Sequence, residues 1–305
     1  MEQQNIIHFL YVPFTGLGLY NGYRGDKWLK NRITIFKEYT MPSILNQNNH
    51  NFYLLISWRP EERDNPIVKE FEKYMASFRD LKTIFTYDGI MFWDDKYPDD
   101  EAEQRVRNSL GGTLPQLNIA EDVVWVYLTI QPSDDMYLYN TVDKIQEIEP
   151  DKKAIGFKRG YIINMNKKEV SEYNPTTTPP FYTVIFPRDV FLDPNKHFEY
   201  IGKCKSHEYV GNFLPYHLFE ERGFVVGTHG ENISTTYNIP FRGRKLGPGE
   251  TGDVLRMTGI HDAPPLKLVR GPKRLYFKLP HKVRRKLRYW LGERFFAKLH
   301  KWLNR

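Results

Sequence analysis

Two adjacent carboxylates, Asp134 and Asp135, follow the most hydrophobic strand-like run of the chain. They end the segment 131–135, Gln-Pro-Ser-Asp-Asp, which comes directly after Asp122–Ile130. Paired carboxylates at the end of a strand can hold a hard divalent cation, and that cation can bridge a diphosphate. The Ser-Asp-Asp sequence is equally a good N-cap for a helix that begins at Met136. Both interpretations stand at this point.

Polar residues of the second half could act together with these carboxylates. His229 follows a strand-like run at 224–226, and Asn232 comes three residues later. An imidazole can bind a metal or a diphosphate, although an isolated histidine is more often structural or exposed. Glu208 and Asp193 are carboxylates that could serve as a general base. For Glu208 the alternative is an ordinary acid on a helix surface.

A helical pattern at Asp100–Leu117, before the hydrophobic run, carries Arg105, Arg107 and Asn108. An arginine there could pair with a diphosphate in a bidentate way. The alternative is a solvated helix face.

The elements that must position these residues alternate along the first half. Runs rich in β-branched and aromatic residues predict strands, and runs with apolar residues at helical spacing predict helices. The predicted strands are Ile6–Phe14, Asn51–Trp58, Leu81–Tyr87 and Asp122–Ile130, and the predicted helices are Trp28–Asn46, Asn65–Phe78 and Asp100–Leu117. This alternation predicts an α/β fold with a mostly parallel sheet and flanking helices.

The second half of the chain has a different sequence pattern. Ala154–Tyr173 predicts a β-hairpin around a polar turn, and 206–214 predicts a short helix. Arg242–Pro265 is rich in glycine and proline without a clear period, so we expect a loop or lid there.

Several motifs together resemble the rhamnosyltransferase family of GT-A-like glycosyltransferases. They are Arg32-Ile33 with Phe36, Thr40-Met41-Pro42-Ser43-Ile44 with Gln47, the strand at 51–56, the Ser-Asp-Asp turn and the His-Gly-Glu-Asn sequence at 229–232. The resemblance covers roughly residues 6 to 240, and its helix-strand part at 32–56 is the most specific.

The resemblance implies a GT-A-like fold and transfer of a sugar, such as rhamnose, from a nucleotide donor. It implies that Asp134 lies near the donor diphosphate and that Asp135 and His229 hold Mn²⁺ or Mg²⁺. The other residues that we expect beside the donor are Pro13, Phe14 and Thr15 after the first strand, Arg107 and Asn108, and Asn232. As the base for an acceptor hydroxyl we prefer Glu208 to Asp193, because similar folds take this base from the C-terminal half. The sequence departs from the family at Pro132, where the pattern "DSDD" has its first acid.

Other activities have less support in the sequence. Gly16 and Gly18 lack the third glycine of a dinucleotide fingerprint, and no P-loop lysine pattern is present. Cys204 is the only cysteine, so an intrachain disulfide and a cysteine-based zinc site are excluded. The sequence shows no signal peptide and no apolar run of membrane-spanning length, which predicts a cytoplasmic protein.

The basic charge of the chain is concentrated at one end. Residues 273–305 hold twelve Lys and Arg and one acid, a net +11, so the whole-chain +7 leaves −4 for the rest. Val283, Leu287, Trp290 and Leu291 share one helical face, and the pattern returns twelve residues later. This composition is typical of helices that lie on the inner face of a membrane. Packing on the catalytic domain or a dimer contact are the alternatives. The regular apolar stripe argues against nucleic acid as a partner.

We therefore expect a GT-A-like domain at 1–270 and a basic amphipathic helical tail at 271–305. The nucleotide-binding half would span about 1–150, and the acceptor-binding half about 151–270. The expected activity is a hexosyl transfer from a nucleotide-sugar donor to a glycan or lipid-linked acceptor, in surface polysaccharide synthesis. The alternatives are a degenerate GT-A-like carbohydrate-binding or scaffold protein, and a metal-dependent nucleotidyltransferase.

Overall fold

The structure is a computed structural model, and the residues that it describes are 5–18, 24–91, 102–176, 178–179, 181–193, 195–196, 207, 210–230, 232, 235, 237, 243–261, 266 and 268. Their strands are β1 (Ile6–Pro13), β2 (Leu17–Gly18), β3 (Tyr53–Ser57), β4 (Thr83–Thr86), β5 (Ile90–Met91), β6 (Trp125–Ile130), β7 (Met136–Tyr137), β8 (Ala154–Asn164), β9 (Glu169–Tyr173), β10 (Tyr182–Pro187) and β11 (Tyr216–Thr228). Their α-helices are α1 (Asp26–Ile35), α2 (Met41–Leu45), α3 (Pro66–Met75), α4 (Ala102–Asn108), α5 (Thr141–Gln146), α6 (Arg188–Leu192), α7 (Val210–Phe213) and α8 (Pro248–Met257).

One large sheet organises the described residues, with the order β4-β3-β1-β6-β10-β8-β11-β7 and with β9 paired to β8. The four strands β4, β3, β1 and β6 are parallel to one another. Strand β10 runs antiparallel to both of its neighbours, and β8 and β11 are parallel. The α/β fold predicted from the sequence is confirmed, with a parallel half followed by a mixed half.

The strand order creates a crevice beside β1. The chain moves outward from β1 to β3 and β4, and then returns to β6 on the other side of β1. In open α/β sheets, ligands bind outside the carboxyl ends of the strands at such a reversal. Tyr11 of β1 lies opposite Ile130 of β6, so these two strands end at nearly the same level. The segments that follow Pro13 and Ile130 therefore share one crevice.

Alternate residues of β1 bury against helices on opposite faces of the sheet. Leu10 and Val12 join the apolar cluster that contains residues of α1, α2 and α3. Phe9 and Tyr11 join the cluster that contains residues of α4 and α6. This two-residue period is the geometry of a strand that is covered on both faces.

The predicted helix Trp28–Asn46 is confirmed, with an irregular middle. It consists of α1, a π-helical turn at Phe36–Thr40, and α2. Pro42 lacks an N–H and its ring crowds the preceding turn, so a regular α-helix cannot run through it unchanged. The wider turn just before Pro42 is one way for a helix to absorb such a residue.

The hairpin predicted at Ala154–Tyr173 is confirmed as the antiparallel pair β8 and β9. The loop predicted at Arg242–Pro265 is wrong for 248–257, which form α8. Pro248 occupies the first turn, where its missing N–H costs nothing. The Gly247 N–H donates to Glu250 Oε2 at 2.9 Å and closes the helix start. The glycines at 249 and 252 weaken the helical pattern of this segment, so its sequence did not predict a helix.

Some predictions fall outside the described residues. They include Glu208 and the whole tail 271–305, while the short helix predicted at 206–214 is seen as α7. Among the described residues, no helix has the length and apolarity that a membrane span requires. The division into a donor half and an acceptor half stays a prediction.

Candidate active site

The segment 131–135 forms a closed turn between β6 and β7. Gln131 Nε2 donates to the carbonyl oxygens of Pro132 and Asp135, each at 3.0 Å, and the Asp135 N–H donates to Pro132 O at 3.2 Å. Met136–Tyr137 then pairs with β11 as a strand. The interpretation of Ser-Asp-Asp as the N-cap of a helix at Met136 is therefore wrong.

Three side chains from two distant parts of the chain converge on one oxygen of Asp134. Arg32 Nη1 lies 2.5 Å from Asp134 Oδ2, His229 Nε2 lies 3.1 Å from it, and Asn232 Nδ2 lies 3.3 Å from it. Burial by itself would raise the pKa of the Asp134 carboxyl, but Arg32 and His229 outweigh burial and hold this pKa well below its usual range. Asp134 is thus a carboxylate, paired with a guanidinium at the carboxyl end of β6.

The loop that carries His229 is shaped by Asn232. The His229 N–H donates to Asn232 Oδ1 at 2.8 Å, and Asn232 Nδ2 donates to Gly227 O at 2.7 Å. Gly230 has a φ of 83°, a conformation that favours glycine. From the other side, Asn166 Nδ2 donates to His229 O at 3.1 Å. These hydrogen bonds hold His229 and Asn232 in one closed loop, so their side chains reach the turn at 131–135 together.

Asp135 makes a different contact from its neighbour. Its Oδ1 accepts the Gly227 N–H at 2.7 Å, which ties the turn to β11. Burial and the negative charge of Asp134 raise the pKa of Asp135 well above its usual range. The sequence grouped Asp135 with His229, but in the structure the carboxylate beside His229 is that of Asp134.

The helix of the Arg32 motif holds the turn from two sides. Arg32 pairs with Asp134, and two residues beyond the end of α2 the buried Gln47 bridges to the chain after β7. Gln47 Nε2 donates to Leu138 O at 2.9 Å, and Gln47 Oε1 accepts the Val142 N–H at 3.1 Å. The motif residues at 32 and 47 are therefore both explained by positioning of the segment that contains Asp134.

The side chains of the loop after β1 are buried and have protein partners. Phe14 is buried and stacks on Trp58 with ring centres 4.5 Å apart. The buried Thr15 hydroxyl donates to Glu62 Oε2, which also accepts the Arg59 N–H at 3.1 Å. Donor contacts by Pro13, Phe14 and Thr15 stay predictions, and the last two side chains are already occupied by protein partners.

Arg107 has a partner set that the sequence did not suggest. Its side chain is fully buried, and Nη1 donates to Val190 O at 2.6 Å and to Asp193 O at 3.0 Å. Nη2 donates to Lys196 O at 2.6 Å. Such a guanidinium is committed to the backbone of another segment, so the structure favours a positioning role over a diphosphate contact for Arg107. Asn108 Oδ1 accepts from Gln104 Nε2 at 3.0 Å.

Arg32 belongs to the helix motif, and its spacing within the helix contains a signal for a buried role. It lies four residues after Trp28 and four before Phe36, which places it on the apolar face of the helix. An arginine on a buried face is rarely left without a partner. The sequence could have identified a buried ion pair here, but not its acidic partner.

The donor atoms at Asp134 fit a divalent cation that is shared with a substrate. Asp134 Oδ2 and His229 Nε2 are 3.1 Å apart, close to the roughly 3 Å expected between neighbouring octahedral ligands of such an ion. No group of three or more His, Cys, Asp and Glu ligands occurs among the described residues. A cation here would therefore take two protein ligands and would need phosphate or water for the rest. Arg32 competes for the same carboxylate oxygen.

Comparisons with known proteins give a weak likeness of fold. No protein-family model matches the chain, and no curated protein matches it. Among solved structures, S. aureus TarS is similar at a TM-score of 0.38 and 11% identity, over 73% of this chain and 37% of that chain. A proposed nucleotide-diphospho-sugar transferase from Desulfovibrio desulfuricans is similar at a TM-score of 0.35 and 11% identity, over 85% of this chain and 99% of that chain. This chain thus spans little more than a third of TarS, and such scores assign it neither a family nor an activity.

Proposed function

We propose that this protein is a glycosyltransferase that takes a sugar from a nucleoside-diphosphate donor. The observation that carries the proposal is the cluster of Arg32, His229 and Asn232 around Asp134, at the point where the strand order reverses between β1 and β6. That point is where an α/β sheet binds nucleotides.

The chemistry of the cluster suits a diphosphate leaving group. When the bond between the sugar and the diphosphate breaks, negative charge grows on the diphosphate oxygens. A fixed guanidinium and an imidazole beside the site stabilise that charge without reorganising during the reaction. Asn232 bonds to both the His229 loop and Asp134, so it helps to fix the cluster in place. We assign Arg32 to this neutralisation directly, and His229 to it as a cation ligand beside Asp134, which also pairs with Arg32.

A divalent cation, Mn²⁺ or Mg²⁺, is part of the proposal. Asp134 and His229 would hold it, in place of the pair Asp135 and His229 that the sequence suggested. When bound, the cation would supply Lewis-acid neutralisation of the diphosphate. The replacement of the family's first acid by Pro132 fits a site with few protein ligands.

The finer parts of the proposal concern the donor, the acceptor and the place of action. We propose a hexose donor such as a nucleotide-linked rhamnose, and a glycan or lipid-linked acceptor in surface polysaccharide synthesis. The net +11 of residues 273–305 and their apolar stripe support attachment to the cytoplasmic face of a membrane. Glu208 remains our candidate for the general base that deprotonates the acceptor hydroxyl.

A catalytically degenerate carbohydrate-binding protein is the second candidate. Pro132, where the family pattern has an acid, is the observation that favours it. A nucleotidyltransferase would need further carboxylates next to Asp134, and the described residues provide no cluster of three ligands.

Donor hydrolysis and transfer assays separate these candidates. Wild type is incubated with a panel of UDP-, GDP- and dTDP-sugars, with and without Mn²⁺. We expect release of nucleoside diphosphate from one donor class, and a loss of at least about a hundredfold in Asp134→Asn. Asp253→Asn is the matched control, because Asp253 is exposed on α8 and pairs with Arg256 on the same helix. Full activity in folded Asp134→Asn would refute the site. A nucleotide sugar that binds without turnover would favour the degenerate protein.

A further inference from the structure

The buried Arg107 guanidinium joins two segments that are far apart in sequence. Arg107 is near the end of α4, and its guanidinium donates to the carbonyls of Val190, Asp193 and Lys196 at distances of 2.6 to 3.0 Å, and also to Gln104 Oε1 on its own helix. It also lies over the ring of Phe186, 5.7 Å from the ring centre. The acceptors belong to the last turn of α6 and to the residues just after it.

The type of residue matters for this contact. The last carbonyls of a helix have no partner within the helix, and those of α6 face this problem within a helix of five residues. A guanidinium has five N–H donors in a planar fork, so one side chain can satisfy several carbonyls in a fixed geometry. Lysine has a single ammonium on a flexible stem and cannot reproduce the fork.

The same end of α4 is also attached to the proposed donor side. Just after the helix, Ser109 Oγ lies 2.7 Å from Tyr11 Oη on β1. In the following turn, Thr113 Oγ1 donates to Asp88 Oδ2, at 2.6 Å, beyond the carboxyl end of β4. Gly112 lies so close that a Cβ there would be 2.7 Å from Asp88 Oδ1. Helix α4 and its turn are therefore fastened to the parallel half of the sheet.

We infer that Arg107 is a positioning residue that fixes the segment 190–196 of the acceptor half against α4 of the donor half. This inference rests on the proposed function for the names of the two halves. Arg107 acts through this segment and makes no contact with the reacting atoms in this assignment.

Amide hydrogen exchange, followed by mass spectrometry on the full chain, tests without any substrate whether Arg107 holds this segment against α4. We compare wild type with Arg107→Lys and with Arg107→Met. The matched control is Arg188→Lys, because Arg188 lies on α6 and donates from Nη2 to one carbonyl, Ile119 O, at 2.9 Å. Loss of several charge-assisted hydrogen bonds predicts exchange in 188–196 that is faster by about tenfold or more in both Arg107 variants. Exchange in β1 and β6 should stay within about twofold, because opening of this segment is local.

Kinetics test the positioning role. The acceptor probes are the p-nitrophenyl glycosides of glucose, galactose, mannose and rhamnose, used with the donor that wild type hydrolyses. In Arg107→Lys we expect the KM for the acceptor to rise about tenfold, with the KM for the donor and donor hydrolysis within about twofold of wild type.

The outcomes separate this inference from the proposed function. Unchanged exchange in 188–196 in Arg107→Met would show that Arg107 does not hold this segment against α4. Faster exchange there with an unchanged acceptor KM refutes the positioning role. If wild type turns over no donor, the proposed function fails, and the exchange measurement alone decides whether Arg107 holds the segment. Global unfolding of Arg107→Met would appear as fast exchange in β1 and β6 as well, and Arg107→Lys then provides the milder comparison.

Discussion

Arg32 Nη1 lies 2.5 Å from Asp134 Oδ2, and this contact joins the helix after β1 to the turn after β6. The two side chains are only 8% and 15% exposed. The strand order reverses between β1 and β6, so the ion pair lies at the point where this kind of sheet binds ligands. The ion pair therefore joins α1 to the turn after β6, and it is the electrostatic centre of the proposed site.

Arg32→Met should destabilise the protein strongly. Removing one partner of a buried ion pair leaves an uncompensated charge, and such changes cost about 3 to 5 kcal/mol. His229 remains near Asp134, so we expect the lower end of that range. Urea unfolding at pH 7, followed by far-UV circular dichroism, measures the free energy of unfolding.

The double variant Arg32→Met, Asp134→Asn provides the control. Replacing both partners removes the unpaired charge, so it should recover about half or more of the lost free energy. Losses that simply add between the two single variants would show that the pair makes no energetic contact.

Gly16→Ala should disturb the loop after β1. A Cβ at Gly16 would lie 1.8 Å from Ser57 Oγ and 2.8 Å from the Ser57 carbonyl carbon. The clash involves the backbone of β3 as well as a side chain, so overpacking should cost about 1 to 3 kcal/mol of unfolding free energy. In the same assay, Gly249→Ala on α8 should stay within about 1 kcal/mol of wild type, because no atom lies within 4 Å of its Cβ position. Equal effects of the two substitutions would contradict this explanation.

The parallel half of the fold was predictable because each strand is a buried run with its own local pattern. Ile6–Pro13 and Trp125–Ile130 are examples, and the reversal between them follows from the general rules for α/β sheets. Helix α8 was missed because Gly249 and Gly252 dilute its apolar period. Its start depends on a contact from Glu250 to Gly247 that no composition reveals.

The site was predictable only as a set of residues that end up near one another. The motifs named Asp134, Asp135, His229 and Asn232, and the structure brings all of them to one turn. Which carboxylate faces His229 depends on the direction of two consecutive side chains in a tight turn. That direction is set by the Gly227 N–H, which donates a hydrogen bond to Asp135 Oδ1. Likewise, the sequence showed Arg107 on a helix but could not show the carbonyls of Val190 and Asp193 that surround it.

Asp135→Asn and Asp134→Asn should differ in their effect on binding of a divalent cation. Asn keeps an Oδ1 acceptor for the Gly227 N–H, so Asp135→Asn should fold and should bind Mn²⁺ within about threefold of wild type. Asp134→Asn removes the carboxylate beside His229 and should weaken binding by about tenfold or more. Electron paramagnetic resonance of Mn²⁺ in the presence of UDP measures both affinities without turnover. A loss confined to Asp135→Asn would restore the pairing of Asp135 with His229 that the sequence suggested.

His8 should make the stability of the protein depend on pH between about 6.5 and 3. The ring is 1% exposed, and burial lowers its pKa from 6.5 to about 3. Gln146 Nε2 lies 3.0 Å from His8 Nδ1 and can only donate, so Nδ1 accepts and Nε2 donates to Thr129 Oγ1 at 2.6 Å. The neutral ring is therefore built into a buried chain that continues from Thr129 to Thr183, 2.6 Å away.

The sign follows from the lowered pKa. Above about pH 6.5 the ring is neutral in both the folded and the unfolded chain, and the contribution to stability is complete. As the pH falls below 6.5, His8 binds a proton in the unfolded chain but stays neutral in the folded chain. The free energy of unfolding of wild type should therefore fall by about 2 kcal/mol by pH 5 from this residue alone. His8→Gln keeps a hydrogen-bonding side chain without a titrating group, and it should lack this loss. Urea unfolding of both proteins at pH 7.5 and pH 5 measures the difference, and parallel losses in the two proteins would show that His8 does not titrate in this range.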